Sequence, residues 1–341
     1  MVKTDARSGA GFLVGFAVTL TLLLGLTTGF NLGGGGGLKY LGPRTPPDND
    51  WFLTQASGYL EHVVLYHNIG HVLDRARAAD ILIFGNSRSL EGLDRHIADD
   101  YARKWGLNIF HLGMGWSETY NIQLEIVRKY DLHPKLVIIN ADASDRGEWD
   151  ARFAPVFGDG MSKFATFAKS INYFEAIKYV VVGNARWRID SLRDYLPASW
   201  DSRLPARFHS TVYVTYRSRK NGMWMTDFLP STPTPLTYVL DQENCKVHPA
   251  EIANAAKVKS EFRSRGAGVL LVLVPSPRNC LNATRTIARE TGLELLTAFS
   301  PGLEEHGDES HLTRESARRV SSTLFEEIEA SQAFKTAFGR P

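Results

Sequence analysis

Five short apolar runs, separated by stretches with helical spacing, constrain this chain more than any other feature. Ile81–Phe84, Asn108–Leu112, Leu136–Asn140, Val269–Val274 and Leu293–Ala298 read as strands. Leu90–Gly106, Glu118–Tyr130, Ala250–Arg265, Ala283–Thr291 and Arg314–Ala330 read as helices between and after them. Runs such as ILIF, LVIIN and VLLVLV do not alternate apolar with polar residues, which suits strands buried on both faces. Strands alternating with helices form a parallel sheet, with helices as the crossovers. The expected class is therefore α/β with a five-stranded parallel sheet. Trp51–Ala79, ahead of the first strand, reads as helical because its apolar residues recur at helical spacing without a proline.

The N-terminus makes a different demand. No side chain from Ser8 to Gly37 is charged, and Phe12–Phe30 is apolar. That run is close to the ~20 residues a helix needs to cross the hydrocarbon core. Lys3 and Arg7 precede it, offset only by Asp5, so the stub is expected in the cytoplasm and the rest outside. An uncleaved anchor is the reading adopted; a cleaved signal peptide is the alternative, although no A-x-A site follows Phe30. Residues 1–31 are thus read as stub and anchor, 32–50 as a Gly/Pro linker containing Gly33–Gly37, and 51–341 as the α/β domain. The expected location is the plasma membrane, single-pass, with the domain extracytoplasmic. Cys245 and Cys280 are the only two cysteines. An oxidising compartment would let them pair; as two unrelated thiols they would imply nothing.

The interval of about 150–247 breaks the strand–helix rhythm. It is irregular and rich in arginine and aromatics, including Tyr173, Trp187, Trp200, Tyr216 and Trp224. It reads as an insertion over the active face, its aromatics forming either a small core or a surface for a sugar or acyl chain. The net charge of +2, from 39 basic and 37 acidic residues, gives no case for nucleic acid. His67 and His71 stand four apart, but the glutamate of the metalloprotease pattern is missing and Gly70 weakens a helix there. Neither a metal nor a cofactor is expected.

Two motifs carry the chemistry. Gly85-Asn86-Ser87-Arg88-Ser89 directly follows the first core strand, and Asp308-Glu309-Ser310-His311 directly precedes the last helix. In an open parallel sheet ligands bind at the carboxyl ends of the strands, where Ser87 stands. A carboxylate three residues before a histidine can orient one ring nitrogen and leave the other for a serine. Taken alone, Ser87 would be an ordinary helix cap and His311 a surface residue. Together they form the parts of a serine hydrolase or acyltransferase, with Ser87 as nucleophile, His311 as base and Asp308 as orienting acid. Gly113 and Gly115 end the second strand on the same edge, where a backbone N–H could serve an oxyanion.

On these residues the chain resembles the SGNH (GDSL-like) hydrolase superfamily over roughly 79–330. The matching blocks are Gly85-Asn86-Ser87, the glycine turn in FHLGMGW and Asp308-x-x-His311. The resemblance implies a three-layer α/β/α flavodoxin-like fold and an oxyanion hole from Ser87 with Gly113 or Gly115. The family's third block supplies an Asn side-chain donor. Here that block reads Asn140-Ala141-Asp142, so Asn140 is the candidate and Asp142 the departure, since an ionised carboxylate donates no hydrogen bond. Arg88 and Trp116 are weaker candidates for contact with substrate. With an N-terminal anchor the chain is most similar to extracytoplasmic members that handle O-acetyl groups on polysaccharides, often beside a membrane-bound O-acyltransferase. The implied substrate is an acylated carbohydrate or another ester. A catalytically degenerate domain that binds polysaccharide, or scaffolds an acyltransferase complex, is the other reading.

Overall fold

The computed structural model describes residues 51–55, 59–68, 71–115, 120–141, 214–227, 234–236, 247–276, 279–305 and 311–339. The expected anchor at Phe12–Phe30 and the glycine linker lie outside them. Among the described residues no helix is long and apolar enough to cross a membrane. The chain divides into two compact units, Met1–Phe52 and Leu53–Pro341; nearly all described residues belong to the second.

In chain order the strands are β1 (Trp51–Gln55), β2 (Ile81–Phe84), β3 (Ile109–His111), β4 (Leu136–Asn140), β5 (Val214–Ser218), β6 (Trp224–Asp227), β7 (Thr234–Pro235), β8 (Gly268–Leu273), β9 (Glu294–Thr297) and β10 (Glu304–Glu305). The helices are α1 (Tyr59–Tyr66), α2 (Asp74–Arg77), α3 (Ser87–Gly92), α4 (Arg95–Trp105), α5 (Tyr120–Lys129), α6 (Pro249–Ser264), α7 (Leu281–Thr291), α8 (Arg314–Ala330) and α9 (Gln332–Phe338).

The five apolar runs form one parallel sheet in the order β3-β2-β4-β8-β9. Alternate side chains point to opposite faces. Ile81, Ile83, Leu136, Ile138, Leu270 and Val272 share a buried cluster with Tyr101 of α4 and with Val320, Leu324, Phe325 and Ile328 of α8. On the other face Phe84 meets Phe262 of α6 edge-on, with ring centroids 5.5 Å apart. Both faces are therefore covered by helices, which explains why the strand sequences lack alternation. Each fully buried aliphatic side chain contributes about 1.5–3 kcal/mol relative to exposure. In order of sequence the sheet reads second, first, third, fourth, fifth strand. The direction of winding reverses between β2 and β4, and the crevice beyond their carboxyl ends is where an open α/β sheet holds its ligand.

Two expectations are corrected. Trp51–Ala79 is not one helix: its first five residues are a strand in a small sheet ordered β1-β5-β6. Leu90–Gly106 is two helices, α3 and α4. The Asp94 carboxylate accepts from the amides of His96 and Ile97, at 2.8 and 3.2 Å, and caps a new helix in mid-run.

The 150–247 interval supplies an antiparallel hairpin, β5–β6, that reaches the edge strand of the main sheet. The His111 amide donates to the Asn221 carbonyl at 2.7 Å, and Met223 is buried in the core. Asn221 and Lys220 both reach Asp99 of α4, at 2.9 and 3.2 Å. The turn of the hairpin thus occupies hydrogen-bonding groups that an edge strand would otherwise expose. Gly222 makes this approach possible: its φ is +69°, and a Cβ there would stand 2.2 Å from the His111 carbonyl oxygen. Gly222→Ala is expected to destabilise by roughly 2–5 kcal/mol, from left-handed strain of about 1–2 and overpacking of about 1–3. Urea unfolding against Gly106→Ala checks this. Gly106 has φ +63° with nothing within 4 Å of such a Cβ, so that variant reports the strain alone.

Candidate active site

Ser87, Gly113, Gly115 and Asn140 stand at or just beyond the carboxyl ends of β2, β3 and β4. β2 ends in Phe84 and the chain turns through Gly85 and Asn86 into α3, whose first residue is Ser87. Asn86 caps this helix, its side-chain oxygen accepting from the Arg88 amide at 3.1 Å. The capping role is therefore filled by the residue before Ser87, and both Ser87 and Arg88 are half-buried. Gly85 is required by crowding, since a Cβ would lie 2.1 Å from Ser89 Oγ and 3.0 Å from Asn140 Cβ.

The neighbouring strand ends are stitched to this turn. The Gly85 carbonyl accepts from the Met114 amide at 3.0 Å and from Gln123 Nε2 at 2.7 Å. Asn140, at the end of β4 and 2% exposed, accepts from the Val274 amide through Oδ1 at 3.1 Å. Its Nδ2 points to Asn86 Oδ1 at 3.5 Å. Asn140 is therefore the side chain that ties the third and fourth strand ends to the Ser87 turn across the switch point.

His311 is half-buried and stands one residue before Leu312. The Leu312 side chain packs over α3, 3.8 Å from where a Cβ on Gly92 would be. α8 begins at Arg314 behind the Thr313 cap and runs against α3, where Ser321 Oγ accepts from the Asp94 amide at 2.7 Å. The His311 segment is thereby joined to the helix that Ser87 opens. Asp308, Trp116 and Asp142 lie outside the described residues.

The amides of the glycine turn face inward. The Gly113 amide donates to His111 Nδ1 at 3.0 Å and the Gly115 amide to Glu61 Oε2 at 3.0 Å. With Met114 bound to Gly85, all three amides of this turn serve acceptors inside the fold. The Gly113 and Gly115 amides, expected as oxyanion donors, are engaged inside the fold. The physical reason is a buried polar centre invisible in the linear sequence. Glu61 is 1% exposed and Arg217 is fully buried. Their ion pair is joined by Trp224 Nε1, which donates to Glu61 Oε1 at 2.7 Å. Arg217 Nη1 also donates to the Gly113 carbonyl at 2.7 Å, and its Nη2 donates to the His111 carbonyl. The only sequence signal was a Glu-His pair in the otherwise apolar helix YLEHVVLY.

Burial holds the His111 imidazole well below the ordinary value of 6.5; the Arg217 guanidinium pushes in the same direction and a backbone bond to Ser89 opposes. The Gly113 amide donates to Nδ1, so the neutral ring carries its proton on Nε2. Above 6.5 the ring is neutral in folded and unfolded chains alike. Below it the unfolded chain takes up a proton that the fold refuses, so stability falls with pH until the lowered folded value is reached. His111→Asn, which keeps an acceptor near Nδ1, is expected to remove up to about 1.4 kcal/mol per pH unit from that slope below 6.5. Urea midpoints between pH 7 and 5 measure it; identical slopes would refute it.

Cys280, at the start of α7, is disulfide-bonded, and Cys245, the chain's other cysteine, lies outside the described residues. No family model, curated protein or solved structure matches this chain. What fold and site define together is an α/β protein with a serine on the strand-to-helix turn beside the switch point of a five-stranded parallel sheet.

Proposed function

We propose that this chain is a membrane-anchored serine esterase or O-acyltransferase of SGNH type, built on a flavodoxin-like α/β/α frame. Its substrate class is an acyl ester, acetyl above all, of an extracytoplasmic carbohydrate. The observation that carries the reading is the position of Ser87: it opens α3 at the carboxyl end of β2, next to β4 at the switch point, with helix capping already supplied by Asn86. Packing of Leu312 on α3 supports His311 as its partner. The Cys280 disulfide supports an oxidising, extracytoplasmic setting.

In the proposed reaction Ser87 Oγ attacks the ester carbonyl while His311 takes its proton and Asp308 steadies the imidazolium. The tetrahedral oxyanion is met by the Ser87 amide and Asn140. Collapse expels the sugar alkoxide, which receives the proton from His311, and leaves an acyl-Ser87. Water completes hydrolysis; a second sugar hydroxyl, or acyl supply from a membrane-bound O-acyltransferase, makes the same intermediate a transferase. Arg88 and Trp116 are proposed as substrate contacts.

A fluorophosphonate probe tests the reading: the wild-type chain should label and Ser87→Ala should not. Absence of wild-type labelling, or equal labelling of both, would sink it. The inward engagement of the Gly113 and Gly115 amides, with Asp142 in the third block, favours a second reading, a degenerate domain that binds polysaccharide or scaffolds an acyltransferase complex. Glycan binding unchanged in Ser87→Ala, with neither form labelled, would select it.

A further inference from the structure

We infer that Glu61 and Arg217 are positioning residues that hold the 113–115 turn, and through it the turn bearing Ser87, in working register. The inference rests on the serine-nucleophile reading and adds residues that the catalytic motifs do not contain. Glu61 comes from α1 and Arg217 from β5, so the pair brings the segment ahead of the sheet and the hairpin of the insertion onto one strand end.

The geometry is a chain of directed bonds. The Glu61 carboxylate fixes the Gly115 amide at 3.0 Å. The Arg217 guanidinium fixes the carbonyls at the other end of the turn, Gly113 at 2.7 Å and that of His111. Between these two grips the Met114 amide donates to the Gly85 carbonyl at 3.0 Å, two residues before Ser87. Trp224 closes the arrangement from the side: a Cβ on Gly115 would stand 2.9 Å from its ring.

A buried ion pair is a poor way to gain stability, because desolvation offsets the attraction and apolar replacements of similar volume are often as stable or more so. What the charges supply, and apolar side chains do not, is direction: three of their bonds go to the backbone of residues 111–115. A displacement of about 1 Å in a reacting geometry costs on the order of a hundredfold in rate. The pair is therefore read as orienting the turn rather than as a staple.

Full-length chain in detergent, as wild type, Glu61→Gln and the apolar double variant Glu61→Leu with Arg217→Met, supplies the test. Three measurements are made on each: thermal unfolding, amide hydrogen exchange in the peptide covering 111–115, and the rate of fluorophosphonate labelling at Ser87. The double variant is expected to melt close to the wild-type temperature and well above a variant that keeps one charge alone, to exchange at Gly113–Gly115 about tenfold or more faster, and to label on the order of ten- to a hundredfold more slowly. Glu61→Gln keeps the size and an acceptor but leaves Arg217 without its counter-ion; it should melt below both, with exchange and labelling between them, and it decides the matter should the double variant not fold. A folded variant with wild-type exchange and wild-type labelling overturns the inference. Wild-type chain that does not label at all removes the esterase reading instead, and exchange alone then decides whether the pair holds the turn.

Discussion

Ser87→Ala is expected to lower ester turnover by on the order of 10⁴–10⁶-fold, and His311→Ala to cost nearly as much. The nucleophile and its base act as a unit, so the double variant should be scarcely slower than either single one; costs that instead multiplied would show two independent roles. The alanine at 87 should leave stability nearly unchanged. Ser87 is half-buried, and the capping bond of α3 belongs to Asn86 Oδ1 and the Arg88 amide. Loss of activity with an unaltered melting curve would thus locate the effect in the chemistry. Turnover of p-nitrophenyl acetate by the three variants is the measurement. Activity retained in Ser87→Ala would end the proposal, whatever else the variants did.

Arg217→Met as a single change is expected to destabilise the fold by about 3–5 kcal/mol, the usual result of leaving one member of a buried pair uncompensated. Glu61 would keep the Gly115 amide and Trp224 Nε1 as partners, at 3.0 and 2.7 Å, but lose its counter-ion. The carbonyls of Gly113 and His111 would each lose the donor that now reaches them. Adding Glu61→Leu to this variant removes the orphaned charge and should recover most of the lost stability, a coupling of opposite sign to the single cost. Urea midpoints for the two single variants and the double one complete the cycle. A single Arg217→Met variant within ~1 kcal/mol of wild type would mean that water or a neighbour replaces the guanidinium, and that the pair does not organise this edge.

Both predictions turn on residues that differ in how visible they were. The position of Ser87 on a strand-to-helix turn was legible because a glycine turn after a fully apolar run is a local pattern, and the strand before it must be apolar on both faces to lie between two helical layers. His311 stood out because it directly precedes a well-formed helix and follows a carboxylate by three residues. Glu61 and Arg217 did not. In a linear sequence a lone glutamate and a lone arginine look like solvated surface, and they lie 156 positions apart.

Local chemistry wrote into the chain the five strand cores, the helices that cross between them and the serine turn, because burial on two faces and helical periodicity constrain composition residue by residue. Folding in three dimensions alone decided that Trp51–Gln55 is extended, that Asp94 divides a helix, and that the glycine amides face Glu61 and His111. Each depends on a partner brought from a distant segment: a strand pairs only where another strand offers its edge, and a charge is buried only where its counter-ion arrives with it.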